Sequence, residues 1–373
     1  MERIDVAVLG AGNGGVAAAA DLGLRGFRVA LCNRSPERLL PFQRLGGVEV
    51  TGAPGEATVP VGRITTEVAE AVRGAEVVML TVPAPGQSFY VDQLAHCLEP
   101  GQLVVLNASN TGSALHVARR LADRGAPPVP VVEFNTLTYI CRMVSPTRVN
   151  ITGPARTVAA GVLPARLRED ACRRLARYYP QLQPVPTVLV TSLSNFNAVL
   201  HPAGMVLNTG WVEHTAGQFY YYYEGTTPGV ARAIEALDRD RQAIARAYGV
   251  ETPSFLEFFY RAGFTSRRAW EAGSVFEALR DSVPNRYIKA PPNLEGRYIE
   301  EDVGYGLVPM AAFAQAAAVS VPTVDALIHL ASVVTGVDYR AVGLHAGRLG
   351  IAGATRAEVE RLAANGPWEG FPR

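Results

Sequence analysis

A chain of 373 residues is too long for one ordinary domain and suits two. With 48% hydrophobic and 18% charged residues it can bury a substantial core, which excludes a disordered chain. A net charge of +1 argues against bulk binding of nucleic acid or of an anionic membrane, and four scattered cysteines without a C-x-x-C pair exclude a zinc ribbon and argue against a disulfide framework.

Short apolar, β-branched runs occur at 6–9, 29–32, 77–82, 103–106, 129–134 and 148–152. Helical stretches such as 14–25 and 113–124 lie between several of them. Strands alternating with helices predict βαβ units and a mainly parallel, doubly wound sheet. Continuous apolar strands fit a sheet covered on both faces.

The first unit carries a glycine motif in its required context. The strand Asp5-Val-Ala-Val-Leu9 runs into Gly10-Ala-Gly12-Asn13-Gly14-Gly15 and then into an alanine-rich helix. This is G-x-G-x-x-G between a strand and a helix, which predicts a dinucleotide site. Gly10 permits the tight turn, Gly12 lets backbone approach a pyrophosphate, and Gly15 lets the helix pack close to the strand. The helix N-terminus offers free N–H groups and partial positive charge to the phosphates.

The end of the second strand selects the cofactor. An acidic residue there would bind a ribose 2′-hydroxyl. The sequence instead reads Asn33-Arg34-Ser35-Pro36. Arg34 is suited to grip a 2′-phosphate in a fork or to stack on adenine, with Asn33 and Ser35 as hydrogen-bond donors. NADP(H) is therefore favoured over NAD(H). Ligands of open α/β sheets bind beyond the C-terminal strand ends, where Thr81-Val82-Pro83-Ala-Pro85 and Asn107-Ala-Ser-Asn-Thr111 fall. Val82, Pro83 and Asn107 are the expected neighbours of the nicotinamide and its ribose, although turn chemistry alone accounts for any single one of them equally well.

Three prolines within 180–186 read as a linker, which divides the chain into a dinucleotide-binding domain at 1–186 and a helical, substrate-binding domain at 187–373. In the second half Thr227-Pro228 and Thr252-Pro253 each read as an N-cap followed by proline at the first helical position. Thr355-Arg-Ala-Glu358 is a capping box, and Asn365-Gly366 is a stop signal. Among six histidines, His201 stands out. Pro202 follows it, so a bend is expected there, with backbone groups left for side chains or ligand. Asn195, Asn197 and Asn208 lie at helical spacings around it, Asn197 being the candidate substrate contact. The aromatic runs 220–223 and 255–260 suit an amine pocket, but such stripes more often pack helices. Near the end of the chain stands a polar segment from Glu295 through Arg297 and Asp302 to Pro309. Taken singly, its charges read as helix-start or surface residues.

No apolar run is long enough to span a bilayer; the best, 310–321, is short and carries Gln315. The first residues pass directly into the glycine motif, leaving no space for a signal peptide. A cytoplasmic protein without membrane or nucleic-acid partners is expected, with no metal. A homodimer through the helical half is assumed, although no motif specifies it.

Four segments together resemble the octopine/nopaline dehydrogenases, the opine dehydrogenase family. They are the glycine motif 10–15, Asn197-Ala-Val-Leu-His-Pro-Ala-Gly204, Tyr220-Tyr-Tyr-Tyr-Glu-Gly225, and Arg297-Tyr-Ile-Glu-Glu-Asp-Val-Gly-Tyr-Gly-Leu-Val-Pro309. The resemblance covers nearly the whole chain, and the His-Pro and Glu-Asp-Val segments are its more specific part. It implies an α/β Rossmann domain followed by an all-α domain, with substrates in the cleft between them. It also implies reductive condensation of an amino acid with an α-keto acid, often pyruvate. The family's catalytic histidine falls on His201, its partner aspartate on Asp302 and its active-site arginine on Arg297. On that footing His201 is the acid or base, Asp302 orients the imidazole, and Arg297 binds a substrate carboxylate. Domain closure would then keep water from the imine. Gly304 departs from the proline expected there, which touches only loop stiffness. Two rivals remain at this level. One is a ketopantoate-reductase-like hydroxyacid dehydrogenase, whose lysine acid would have to be Lys289; the other is a non-catalytic NADP(H)-binding protein.

Overall fold

The computed structural model describes residues 3–368. These fall into two compact units. Among the described residues the first holds 3–109, Ser113–Thr191 and 361–368; the second holds Asn110–Gly112 and Ser192–Glu360.

Among its described residues the first unit contains twelve strands: β1 (Val6–Leu9), β2 (Val29–Cys32), β3 (Gly47–Gly52), β4 (Ala57–Pro60), β5 (Arg63–Thr65), β6 (Val77–Leu80), β7 (Leu103–Leu106), β8 (Val131–Phe134), β9 (Tyr139–Met143), β10 (Arg148–Pro154), β11 (Val158–Leu163) and β12 (Leu182–Pro184). Eight of them form one sheet in the order β12-β11-β8-β7-β6-β1-β2-β5. All its pairings are parallel except β8 with β11. The central strands are buried along their whole length, as their unbroken apolar sequences demand. Crossover helices such as Asn13–Leu24 and Ser113–Asp123 cover them.

Two expectations need correction. The run 148–152 does not join the nucleotide-binding sheet. It forms β10 of a separate four-stranded sheet, ordered β4-β3-β10-β9. Its sequence, Arg-Val-Asn-Ile-Thr, alternates, and only Val149 and Ile151 are buried; a strand covered on one face alternates, whereas the central strands do not. The proline-rich stretch 180–186 is not a linker. Leu182–Pro184 pairs with β11 as the outermost strand of the large sheet, where a residue without an N–H costs no ladder bond. Apart from Asn110–Gly112, the chain passes to the second unit after Thr191, and the described residues 361–368 belong to the first.

The second unit is helical, with one isolated β-bridge between Tyr220 and Lys289. Its longest helix, Pro228–Ala247, starts where expected, with the Thr227 hydroxyl accepting from the Val230 N–H. The helix expected after Thr252 begins later, at Phe255, with Ser254 as its cap. Thr252 is held elsewhere: its hydroxyl and the Pro253 carbonyl accept from the buried guanidinium of Arg241, at 2.8 and 2.7 Å. The capping box forms, Thr355 N–H donating to Glu358 at 2.8 Å and Glu358 N–H to the Thr355 hydroxyl at 3.4 Å. Among the described residues no helix is long and apolar enough to cross a membrane.

The first crossover depends on Gly15, where an added Cβ would lie 1.8 Å from the Gly10 carbonyl oxygen. Gly15→Ala is expected to lower the unfolding free energy by about 1–3 kcal/mol, the usual range for an overpacked site. Denaturant titration checks this; an unchanged midpoint would contradict the packing described.

Candidate active site

The turn after β1 is shaped for a phosphate group. Gly10 has φ +116°, and a Cβ there would collide with Val82 Cγ1 at 2.6 Å, so only glycine fits. Gly14 is closed off by Leu137, 2.8 Å from where a Cβ would stand. Gly12 is the exception: a Cβ on it would meet nothing within 4 Å. Gly12 also stands at the N-cap of the helix Asn13–Leu24, which no side chain caps. The first-turn N–H groups of such a helix need an outside acceptor, and the open ground over Gly12 gives an anion room to supply one. A dinucleotide pyrophosphate fits these features.

The other expected cofactor residues divide. Asn13 directs its side chain to the Met143 N–H at 2.8 Å, so what it offers a ligand is backbone. Asn33 accepts from the Ala11 N–H at 3.2 Å and donates to the Ser35 carbonyl at 3.3 Å, which fixes the loop's shape. Arg34 is exposed, its guanidinium 6.0 Å from the Phe89 ring centre and its N–H bonded to the Tyr90 hydroxyl. Ser35 sits at the N-cap of Pro36–Leu45 with its hydroxyl not used as a cap. Pro83 lies exposed at the start of Ala84–Leu94. Asn107 is buried and turned inward, bonding the Thr138 N–H at 3.1 Å and the Thr138 hydroxyl at 2.9 Å. Its side chain ties β7 to the segment before β9. Arg38 was not anticipated: its Nε donates to the Ala11 carbonyl at 2.9 Å, inside the glycine turn. An arginine in the first turn of an ordinary helix gives no sequence signal for this.

The candidate residues of the second unit gather around His201. The helix Asn197–Leu207 continues through Pro202. The carbonyl of His201 accepts from the Tyr221 hydroxyl at 2.7 Å. Tyr221 comes this close only because position 204 is glycine, where a Cβ would lie 2.2 Å from that hydroxyl. Asn195 receives the Ala198 N–H at 3.3 Å and donates to the Thr111 hydroxyl at 3.2 Å, which steadies the helix start. Asn208 clamps the other end by donating to the carbonyls of Gly204 and Gly225.

His201 Nδ1 lies 2.7 Å from Asp302 Oδ2, and both residues are buried. Asp302 precedes a single π-helical turn, Val303–Leu307, a distortion that recurs at functional sites. Gly306 in that turn packs on Ala198, where a Cβ would be 2.5 Å from the alanine's own. The second ring nitrogen, Nε2, lies 3.0 Å from the Tyr222 hydroxyl, itself 3.1 Å from the Tyr298 hydroxyl. Tyr298 stacks flat on the imidazole at 3.8 Å and 6°. Burial, with the Tyr298 phenol alongside, pushes Tyr222 well above the ordinary tyrosine value, so it stays a neutral hydroxyl at any working pH.

Arg297 is 58% exposed along its side chain, with Nε 3.3 Å from the buried carboxylate of Glu301. Glu301 also accepts from Asn110 at 2.8 Å. The Arg297 guanidinium is thus held on one side and exposed on the other. Asn197 faces outward, exposed, on the first turn of the helix. Lys289 lies 4.5 Å over the Tyr220 ring. The tyrosines are what sequence reasoning missed. The run 220–223 reads as helix packing, yet Tyr221 and Tyr222 both reach His201.

Residues 184–335 match the family model described as NAD/NADP octopine/nopaline dehydrogenase, alpha-helical domain, and residues 6–163 the one described as ketopantoate reductase PanE/ApbA. An opine dehydrogenase from Arthrobacter sp. (strain 1C) is 34% identical, over 96% of this chain and 98% of its own. The octopine dehydrogenase of Pecten maximus is 24% identical over 92% and 94%. Among solved structures, octopine dehydrogenase with NADH and L-arginine aligns with a TM-score of 0.78 at 21% identity, covering 99% of this chain and all 100% of that one. NADP+-bound yersinopine dehydrogenase aligns at 0.73 and 19% identity, covering 97% and 98%. At those identities the structural likeness is one of fold.

The close approach of Gly306 to Ala198 generates a prediction. Gly306→Ala is expected to destabilise the chain by about 1–3 kcal/mol, and adding Ala198→Gly is expected to recover part of that loss. Denaturation of the single and double variants measures the coupling; strict additivity would contradict the contact.

Proposed function

Because the chain belongs to the opine dehydrogenase family, we propose that its substrates are an amino acid and an α-keto acid such as pyruvate, joined as an imine and reduced with a nicotinamide cofactor to an N-(carboxyalkyl)amino acid. It is an oxidoreductase acting on a CH–NH bond. The observation that carries the reading is the buried His201–Asp302 pair, formed by residues a hundred positions apart in the chain.

The amine first adds to the keto carbon, and the resulting carbinolamine must lose its oxygen as water. His201 supplies the proton for that departure, an imidazole being able both to give and to take one. Asp302 holds Nδ1–H, which fixes the ring's orientation and stabilises its protonated form. Arg297, braced by Glu301, binds a carboxylate of the keto acid as a fork and draws electron density from the adjacent carbonyl. The bound reduced nicotinamide supplies the hydride. The backbone at Gly10, Gly12, Asn13, Gly14 and Gly15 would hold its pyrophosphate, with Val82 and Pro83 beside the turn.

NADP(H) is the favoured form. No carboxylate ends β2, Arg34 is exposed, and the Ser35 hydroxyl is not used as a helix cap; together they suit a 2′-phosphate. The four cysteines are unpaired, which suits a reducing compartment such as the cytoplasm.

A matrix of amines against keto acids, followed by NADPH loss, tests the reaction. Consumption that requires both partners is expected. Consumption with keto acid alone would make the protein a hydroxyacid dehydrogenase, and cofactor binding without turnover across the matrix would make it a nucleotide-binding protein. For the cofactor, Arg34→Asp is expected to shift the kcat/KM ratio toward NADH; an unchanged ratio would remove Arg34 from cofactor selection.

A further inference from the structure

Resting on the reaction just assigned, we propose that the proton exchanged by His201 passes through the Tyr222 hydroxyl, which makes Tyr222 a catalytic residue in contact with the departing substrate oxygen. Both ring nitrogens of His201 already have partners: Asp302 at 2.7 Å on Nδ1 and Tyr222 at 3.0 Å on Nε2. Tyr298 lies flat against one face of the ring, and Tyr221 pins the backbone beneath it. With a carboxylate on Nδ1, that nitrogen is the donor, so only Nε2 changes its proton during turnover. The atom positioned to exchange with Nε2 is the oxygen of Tyr222.

A hydroxyl has one proton to give and lone pairs to receive others. Beside a neutral imidazole, Tyr222 donates to Nε2 and accepts from Tyr298, 3.1 Å away. Beside an imidazolium the direction reverses: Nε2–H donates to Tyr222, and the Tyr222 proton is turned outward. The raised phenol keeps the oxygen protonated throughout, so the transfer is a concerted shift of two protons without a phenolate. In the dehydration step the carbinolamine nitrogen lone pair forms the C=N bond as the C–O bond breaks. The departing oxygen takes the Tyr222 proton and leaves as water. Tyr222 takes the proton of Nε2, and His201 ends neutral with Nδ1–H still donated to Asp302.

The alternative is that Tyr222 only occupies Nε2 until substrate displaces it. Tyr222→Phe separates the two, because it removes the hydroxyl and keeps the ring. With amino acid, keto acid and NADPH present, the relay predicts that kcat falls by about 10²-fold, the typical contribution of a positioned proton donor. It also predicts a curved dependence of kcat on deuterium fraction for the wild type and a straight one for the variant. A variant within about threefold of wild-type kcat, with the same isotope dependence, overturns the relay. Tyr222→3-fluorotyrosine covers the case in which the phenylalanine variant fails to fold: it keeps the shape and acidifies the phenol. The relay predicts a changed kcat with the curved deuterium dependence kept, and an unchanged kcat overturns it. Failure of the wild-type enzyme to use an amino acid overturns the assigned reaction and the relay with it, whereas an active wild type beside an equally active variant overturns the relay alone.

Discussion

A carboxylate buried without exposure is tolerated only with a partner, and Asp302 has His201. Oδ2 accepts from the imidazole, while Oδ1 is buried with no hydrogen-bond partner among the described residues. The burial therefore rests on one contact, and the surrounding structure holds that contact in place. Gly306 lets the turn after Asp302 lie against Ala198, on the helix that carries the histidine. Gly204 lets Tyr221 reach the carbonyl of His201. Asn195 and Asn208 secure the two ends of that helix. Removing either partner would leave a buried polar group of the other unmet, a costlier state than losing both.

Much of the first unit was legible because βαβ architecture writes itself locally. Unbroken runs such as Val6–Leu9 and Leu103–Leu106 are buried on both faces, and the glycine turn obeys steric rules within a few residues. The errors came where the sequence carries two meanings. The prolines around Leu182–Pro184 signal a linker and equally suit an edge strand. Alternation in Arg148–Pro154 marked a sheet with one open face, and reading it as another central strand overlooked that pattern. At Pro202, where a bend was expected, the helix continues, and the Tyr221 hydroxyl is bonded to the carbonyl just before the proline.

The histidine–aspartate pair was legible only through resemblance. Nothing in the spacing of His201 and Asp302 announces a contact, because each sits on its own helix and the link is tertiary. The tyrosines were harder still. Buried aromatic side chains usually serve packing, and Tyr221 and Tyr222 do pack, but their hydroxyls end on His201. Arg38 and Glu301 show the same limit: each reads as a routine charge at a helix start, and its partner lies far along the chain. Asn107 shows the reverse, a polar residue at a strand end whose side chain turns inward to Thr138.

The central claim is that His201 and Asp302 act as one chemical unit. A kinetic cycle of His201→Ala, Asp302→Asn and the double variant tests it most directly. Each single change is predicted to lower kcat by about 10²-fold or more, and the double variant to be about as slow as the slower single, as for groups that act together. A double variant whose loss is the product of the two single losses would show two independent contributors and contradict the account.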